Sequence, residues 1–266
     1  MFEALSLPFM QKAFMAGILV SILAGLISVF IVLRKMSFIG AGISHAAFGG
    51  VAIGFFTGIN PLFTAIAYSI IVAIGIESTA RKGMISEDLS IGIFYSVSMA
   101  LGVALVSLSK SYNVDLFGYL FGNILAISQA DIVLTVITFV LVSGFIVIFL
   151  KDLFLSTYNK ELAQISGVPV VLLNNLFLVS LAVSIVISIR IVGIILVSAL
   201  LVIPGATARL FAKGLRSMLF LSCLAGVASV ISGLFLSYEY DIAPGASIVL
   251  ASAFIFFISL VLKKKR

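Results

Sequence analysis

Hydrophobic positions in this chain come in long unbroken runs rather than in one-sided stripes, and short polar breaks separate them. Nine apolar segments fall at about 13–33, 38–57, 61–80, 89–109, 129–150, 171–189, 191–207, 217–236 and 243–262. Runs of this kind cross about 30 Å of hydrocarbon as helices, and the period-two alternation of a membrane barrel is absent. The pattern predicts an all-α polytopic membrane protein with about nine spans, forming one transmembrane domain over 1–266. Ser111 to Ile127 is too polar and glycine-broken for a span. It reads as a short outer helix or re-entrant piece whose backbone needs protein cover.

Composition agrees with that pattern. The chain is 62% hydrophobic and 10% charged, with a mean hydropathy of +1.34, far from the roughly one-quarter charged residues of soluble domains. Met1 to Phe9 carries Glu3 rather than a basic start, so the first span is expected to target the chain itself. The single cysteine, Cys223, excludes an intramolecular disulfide and a cysteine-cluster metal site.

The charges set an orientation. With nine spans and a cytoplasmic C-terminus, thirteen of the sixteen basic residues lie on the inner side, leaving only Lys12, Lys110 and Arg190 outside. That asymmetry predicts an extracytoplasmic N-terminus and assigns the net charge of +6 to membrane orientation rather than to nucleic acid. Merging 171–189 with 191–207 gives an eight-span alternative, which would throw Lys151, Lys160 and the earlier basic pairs outward. Arg190 is therefore expected to mark a short outer turn. The outer acids include Asp115, Asp131, Glu239 and Asp241. As a group they would draw a cation to the outer mouth, with simple solvation as the alternative role for each.

One stretch, Met36 to Gly58, joins chemistry to architecture. Gly42, Ala46, Gly50, Gly54 and Gly58 recur every fourth position and predict a smooth ridge for a closely packed neighbour. Beside it lies His45, the only histidine. An imidazole in a span costs several kcal/mol unless it finds a partner or a watered cavity, which makes it a functional candidate. The competing role is a histidine hydrogen-bonded to a neighbouring helix.

A second stretch runs from Arg190 to Arg216. Pro204-Gly205 is expected to break the helix at the inner surface. A short basic helix over Ala206 to Arg216 would then place Arg209, Lys213 and Arg216 on one face, as a positive-inside loop or as a lever docking on another protein. Glu77, Glu87 and Asp88 read as helix-end charges, with Ser86 as an N-cap. Asp152 to Pro169 reads as an amphipathic surface segment or a partner-docking element.

Taken in order, MSFIGAGISHAAFGG, EDLSIGIF, DLFGYLFGN, KELAQISG, IVGIILVSALLVIPGATARL and DIAPG cover nearly the full length. Together they resemble the permease subunits of bacterial ATP-binding cassette importers for zinc, manganese and iron. The resemblance implies a cobalamin-permease-like (type II importer) helical bundle in the bacterial cytoplasmic membrane. It also implies a homodimer, a cytoplasmic ATP-binding subunit and an extracytoplasmic metal-binding protein. Pro204 to Arg216 would be the coupling element on the ATPase. Three positions depart from the family's habit. Ala41 stands where an acid one turn before the histidine is common, Gly49 where proline is common, and Asn159 where aspartate is common.

The resulting expectation is a transport subunit that passes a divalent metal ion as substrate and binds no cofactor of its own. The chain has no GxxxxGK[ST] phosphate loop, so ATP use would belong to the partner. His45, with Ser44 as a companion, is the candidate metal contact in the pathway. Asp115, Glu239 and Asp241 are the candidates at the outer mouth. Pro204, Gly205, Arg209, Lys213 and Arg216 are the candidates for coupling. An ion-coupled secondary transporter is the runner-up, although such proteins usually place acids near mid-membrane. An intramembrane hydrolase lacks support, since no HExxH occurs and adjacent Ser44 and His45 point about 100° apart on a helix.

Overall fold

The computed structural model describes residues 8–81, 83, 85–109 and 127–264, and among these it is helical with no strand. The elements are α1 (Pro8–Arg34), α2 (Ile39–Thr57), α3 (Pro61–Arg81), α4 (Glu87–Leu108), α5 (Gln129–Ile148) and α6 (Leu150–Tyr158). They continue with α7 (Lys160–Ile165), α8 (Val170–Leu200), α9 (Ile203–Phe211), α10 (Leu215–Tyr240) and α11 (Pro244–Lys264). Eight stretches among the described residues are long and apolar enough to cross a membrane, with Val170–Phe211 forming one of them. The stretch at 110–126, with Asp115 inside it, lies outside the described residues, as does Glu3.

Prolines punctuate this order. Pro8, Pro61 and Pro244 open α1, α3 and α11, and Pro204 lies in the first turn of α9. At those positions the missing N–H costs nothing, because the first helical amides have no intrahelical acceptor. Ser86 caps α4 by accepting from the Leu89 amide, with Glu87 and Asp88 in the first turn, as the sequence predicts. Arg34 ends α1 in a Schellman turn, where Met36 N–H donates to Ile31 O and Lys35 N–H to Val32 O. Lys35 takes the left-handed conformation there, at φ 60°.

Three stretches form the interior. Seventy-two per cent of the apolar window of α1, of α2 and of the α8–α9 stretch is buried, against 22–39% for α3, α4, α5, α10 and α11. α1 packs antiparallel on α10 through small residues. The Ser222 hydroxyl donates to Gly25 O at 2.7 Å, and Gly226 lies against Ser21. Phe14 meets Phe235 at a ring separation of 5.2 Å, and Phe30 meets Phe177 of α8 edge-on at 5.8 Å. Backbone approach of this kind replaces the hydrophobic effect as the source of helix association in lipid.

The region 170–211 corrects the sequence reading in one respect. Arg190 is helical, and the break comes three residues later at Gly193, with φ 79° and ψ 166°. Only glycine reaches that conformation without strain. Before the break, Arg190 pairs with Asp131 at the start of α5, 3.2 Å away. Beyond it, Leu201 lies against Gly40 at the start of α2, and the Gly205 amide donates to Ser28 Oγ of α1 at 2.9 Å. Gly40 and Ser28 flank the turn at Arg34, so the chain folds back at Gly193 and returns to the Arg34 end of the bundle. Arg190 escapes the turn role because its guanidinium is held by α5.

Candidate metal passage

α2 is wedged between α3 and α4, and its glycines explain how. A methyl group on Gly42 would sit 2.7 Å from Ile91 of α4, and one on Gly50 would sit 2.6 Å from the Ala65 Cα of α3. One on Gly49 would reach Ser98 O of α4 at 2.8 Å. The ridge expected to face one neighbour therefore divides between two. A step of four residues on a helix overshoots a full turn by about 40°, so the line of small residues winds round α2.

This close packing presents His45 to α4. Its Nδ1 lies 2.8 Å from the carbonyl oxygen of Ala41. A carbonyl only accepts, so that contact puts the proton on Nδ1 and leaves the Nε2 lone pair for another partner. The residue where an acid is common thus supplies an oxygen to the histidine after all, from its backbone. The His45 ring also meets Tyr95 of α4 edge-on, 4.6 Å between centroids. Both residues are partly exposed. No signal in a single sequence pairs positions 45 and 95, so Tyr95 is not legible as a site residue from the sequence.

Ser44 does not share this environment. It is fully buried, and it lines a small cavity with Val51, Leu62, Ala65, Val186 and Arg190. Its hydroxyl has no hydrogen-bond partner. Adjacent helix positions diverge by about 100°, and the two side chains accordingly face different neighbours. Among the described residues no three histidine, cysteine, aspartate or glutamate side chains gather into a metal cluster.

The end of the bundle marked by Asp131 also holds Glu239 and Asp241. Glu239 is exposed in the last turn of α10 and lines a groove with Tyr238, Tyr240 and Phe254. Asp241 caps α10 in the left-handed conformation, at φ 53°, and is also exposed. Asp131 differs from them. Its carboxylate accepts from the Ser128 amide and hydroxyl in a capping box and meets Arg190 as well. Its charge is thereby occupied locally.

At the Arg34 end, the expected coupling segment is divided. α9 stops at Phe211, because Ala212 is extended at φ −67° and ψ 132°. The Lys213 and Gly214 amides then donate to Ser217 Oγ, which starts α10. Arg209 consequently lies on α9, Lys213 in the turn and Arg216 on α10, all three exposed. The single basic helix face over Ala206 to Arg216 does not form; the cationic cluster is spread over a helix, a turn and a second helix. The Lys-Gly-Leu-Arg-Ser run was the readable signal for this cap. Pro204 and Gly205 are buried, and a methyl on Gly205 would fall 2.7 Å from Ser28 O. α9 is therefore seated directly on the end of α1.

Arg34 belongs to the same junction. Its Nε donates to Thr157 of α6 at 3.1 Å, and its guanidinium carbon lies 4.5 Å over the Phe177 ring of α8. Glu77 and Glu87 act on it electrostatically. Charge counting treated Arg34 as an inner-loop cation, whereas its side chain ties three elements together.

Residues 6–263 match the ABC 3 transport family. The chain is 40% identical over 258 residues to the manganese import system permease protein ScaB of Streptococcus gordonii, across 97% of this chain and 92% of that protein. It is 35% identical over 253 residues to the high-affinity zinc uptake system membrane protein ZnuB of Haemophilus influenzae, across 95% and 97% of the two. The solved structure of PsaBC from Streptococcus pneumoniae in complex with Fab is similar with a TM-score of 0.86 and 39% identity, covering 97% of this chain and 93% of that one. With a family match over nearly its whole length and a bundle of apolar helices, this chain belongs to the ABC 3 transport family as a multi-pass membrane protein.

Proposed function

We propose that the chain is the membrane-spanning subunit of an ATP-binding cassette importer that takes up a divalent metal ion, with manganese and zinc the leading cargoes. The observation that carries this reading is the near full-length similarity to permeases named for manganese and zinc uptake. ATP is used by a separate cytoplasmic subunit, and an extracytoplasmic binding protein delivers the metal. Two copies of this chain form the pathway. The exposed face of α4 next to Tyr95 supports that assembly, since Gly92, Ser96 and Ala100 give it small residues with no neighbour seated on Gly92.

The Arg34 end is cytoplasmic and the Asp131 end faces outward, giving nine crossings with the N-terminus outside and the C-terminus inside. The basic skew and the fold-back at Gly193 support this topology. A cation attracted by Glu239, Asp241 and Asp115 enters between the two copies and meets the free Nε2 of His45. One imidazole per chain makes a weak site, which suits passage, because strong binding would slow release. Arg209, Lys213 and Arg216 meet the ATP-binding subunit, and α9 transmits its motion to α1 through the Gly205–Ser28 contact.

Proteoliposomes holding this chain with its ATP-binding subunit and binding protein test the reading. ATP-dependent accumulation of manganese or zinc is expected. Accumulation driven by an ion gradient without ATP would contradict it and favour a secondary transporter.

A further inference from the structure

α6 is apolar on two opposite faces, and only one of them is covered. Leu153 and Ser156 are buried, and Thr157 on that side holds Arg34. The opposite arc carries Lys151, Phe154 and Tyr158 at i, i+3 and i+7, with Tyr158 82% exposed. The Phe154 and Tyr158 rings stack on each other at 6.3 Å, and so form one aromatic surface rather than two isolated side chains. A helix with apolar residues on both sides requires a second cover.

We infer that this cover is the lipid surface itself, with α6 lying in the headgroup–acyl boundary of the leaflet at the Arg34 end. Continuity selects the occupant. α6 is separated from α5 by Phe149 alone, and the uncovered face of α5, including Leu141, Val147 and Ile148, leads through Phe149 to the arc of Phe154 and Tyr158, where Lys151 is the one charged side chain. Since α5 is long and apolar enough to cross a membrane, a bilayer bathing its outer face reaches α6 at the depth where aromatic rings and lysines concentrate. Charge points the same way. Lys151 is followed by Asp152, and Lys160 by Glu161, so the segment has no net charge with which to select a charged protein face. The predicted association is therefore with zwitterionic lipid. It anchors the helix that grips Arg34, and so steadies the end of α1 on which α9 rests.

The chain contains no tryptophan, so Tyr158→Trp creates a single reporter at an exposed position. In phosphatidylcholine bilayers its emission should be blue-shifted from that of a water-exposed indole. It should lose most of its intensity when the lipids are brominated near the glycerol, and less when bromine sits near the chain ends. Phe154→Trp, as a second reporter on the same face, should show the same order. Emission that ignores brominated lipid but is quenched by aqueous iodide would overturn the inference. So would emission that ignores brominated lipid and shifts only when the ATP-binding subunit is added, since the face would then belong to a protein partner. Neither result would bear on metal transport, so the anchor stands or falls separately from the proposed function.

Discussion

The seat of α9 on α1 makes Gly205→Ala a demanding test of the packing. A β-carbon there would lie 2.5 Å from Ser28 Oγ, 2.7 Å from Ser28 O and 2.8 Å from its carbonyl carbon. The hydroxyl can rotate away, but the backbone atoms cannot. To reach ordinary contact at 3.4 Å, α9 must retreat by about 0.7 Å from Ser28. Overpacking of this kind costs about 1–3 kcal/mol. The same retreat stretches the 2.9 Å bond from the Gly205 amide to Ser28 Oγ, and a buried donor left unpaired costs about another 1–3 kcal/mol. The combined loss, about 2–4 kcal/mol after partial relaxation, corresponds to a fall on the order of 5–15 °C in unfolding midpoint. Thermal unfolding of the purified variant in one detergent measures it. Gly144→Ala is the control, because nothing lies within 4 Å of a methyl at that position; it should match or exceed wild type. A Gly205→Ala midpoint as high as that of Gly144→Ala would refute the close seating of α9.

Charge reversal at Arg209 and Lys213 together should separate the ATP-binding subunit from the chain, or uncouple its hydrolysis from uptake, while the unfolding midpoint stays near wild type; co-purification and metal-stimulated ATPase rate check this. Neutralising Asp115, Glu239 and Asp241 together should slow uptake at low ionic strength, and the defect should fade as salt shortens the screening length to about 8 Å near 0.15 M. Tyr95→Phe should keep near wild-type uptake because the ring contact with His45 survives. Tyr95→Ala should raise the metal concentration needed for half-maximal uptake more than it lowers the maximal rate.

Long apolar runs made the helical architecture readable, because a spanning helix leaves a signal about twenty residues long that no local exception erases. The cap at Ser86 was equally local and equally readable. The sequence points to a fold-back at Arg190 rather than Gly193, since a charge in an apolar run looks like a turn until its partner Asp131, fifty-nine positions away, is known. Four-residue spacing suggested one ridge on α2, and helical drift divided it between α3 and α4. Continuing α9 through Arg216 failed because Ser217 captures two amides and starts a new helix. His45 was identifiable by its rarity. The separation of Ser44 from it follows from the step of about 100° between adjacent helix positions, whereas its orientation toward Tyr95 depends on a contact between helices that no local pattern encodes.

The proposed role of His45, offering its Nε2 lone pair to the transported ion, is tested most directly by uptake through a His45→Ala variant. The Nδ1 contact is to Ala41 within the same helix, so removing the imidazole breaks no bond between helices. Assembly and unfolding midpoint should therefore remain close to wild type. In proteoliposomes with the ATP-binding subunit and binding protein, ATP-driven manganese or zinc accumulation should fall sharply while basal ATP hydrolysis persists. Wild-type accumulation by a well-folded His45→Ala protein would remove the histidine from the pathway and contradict the account.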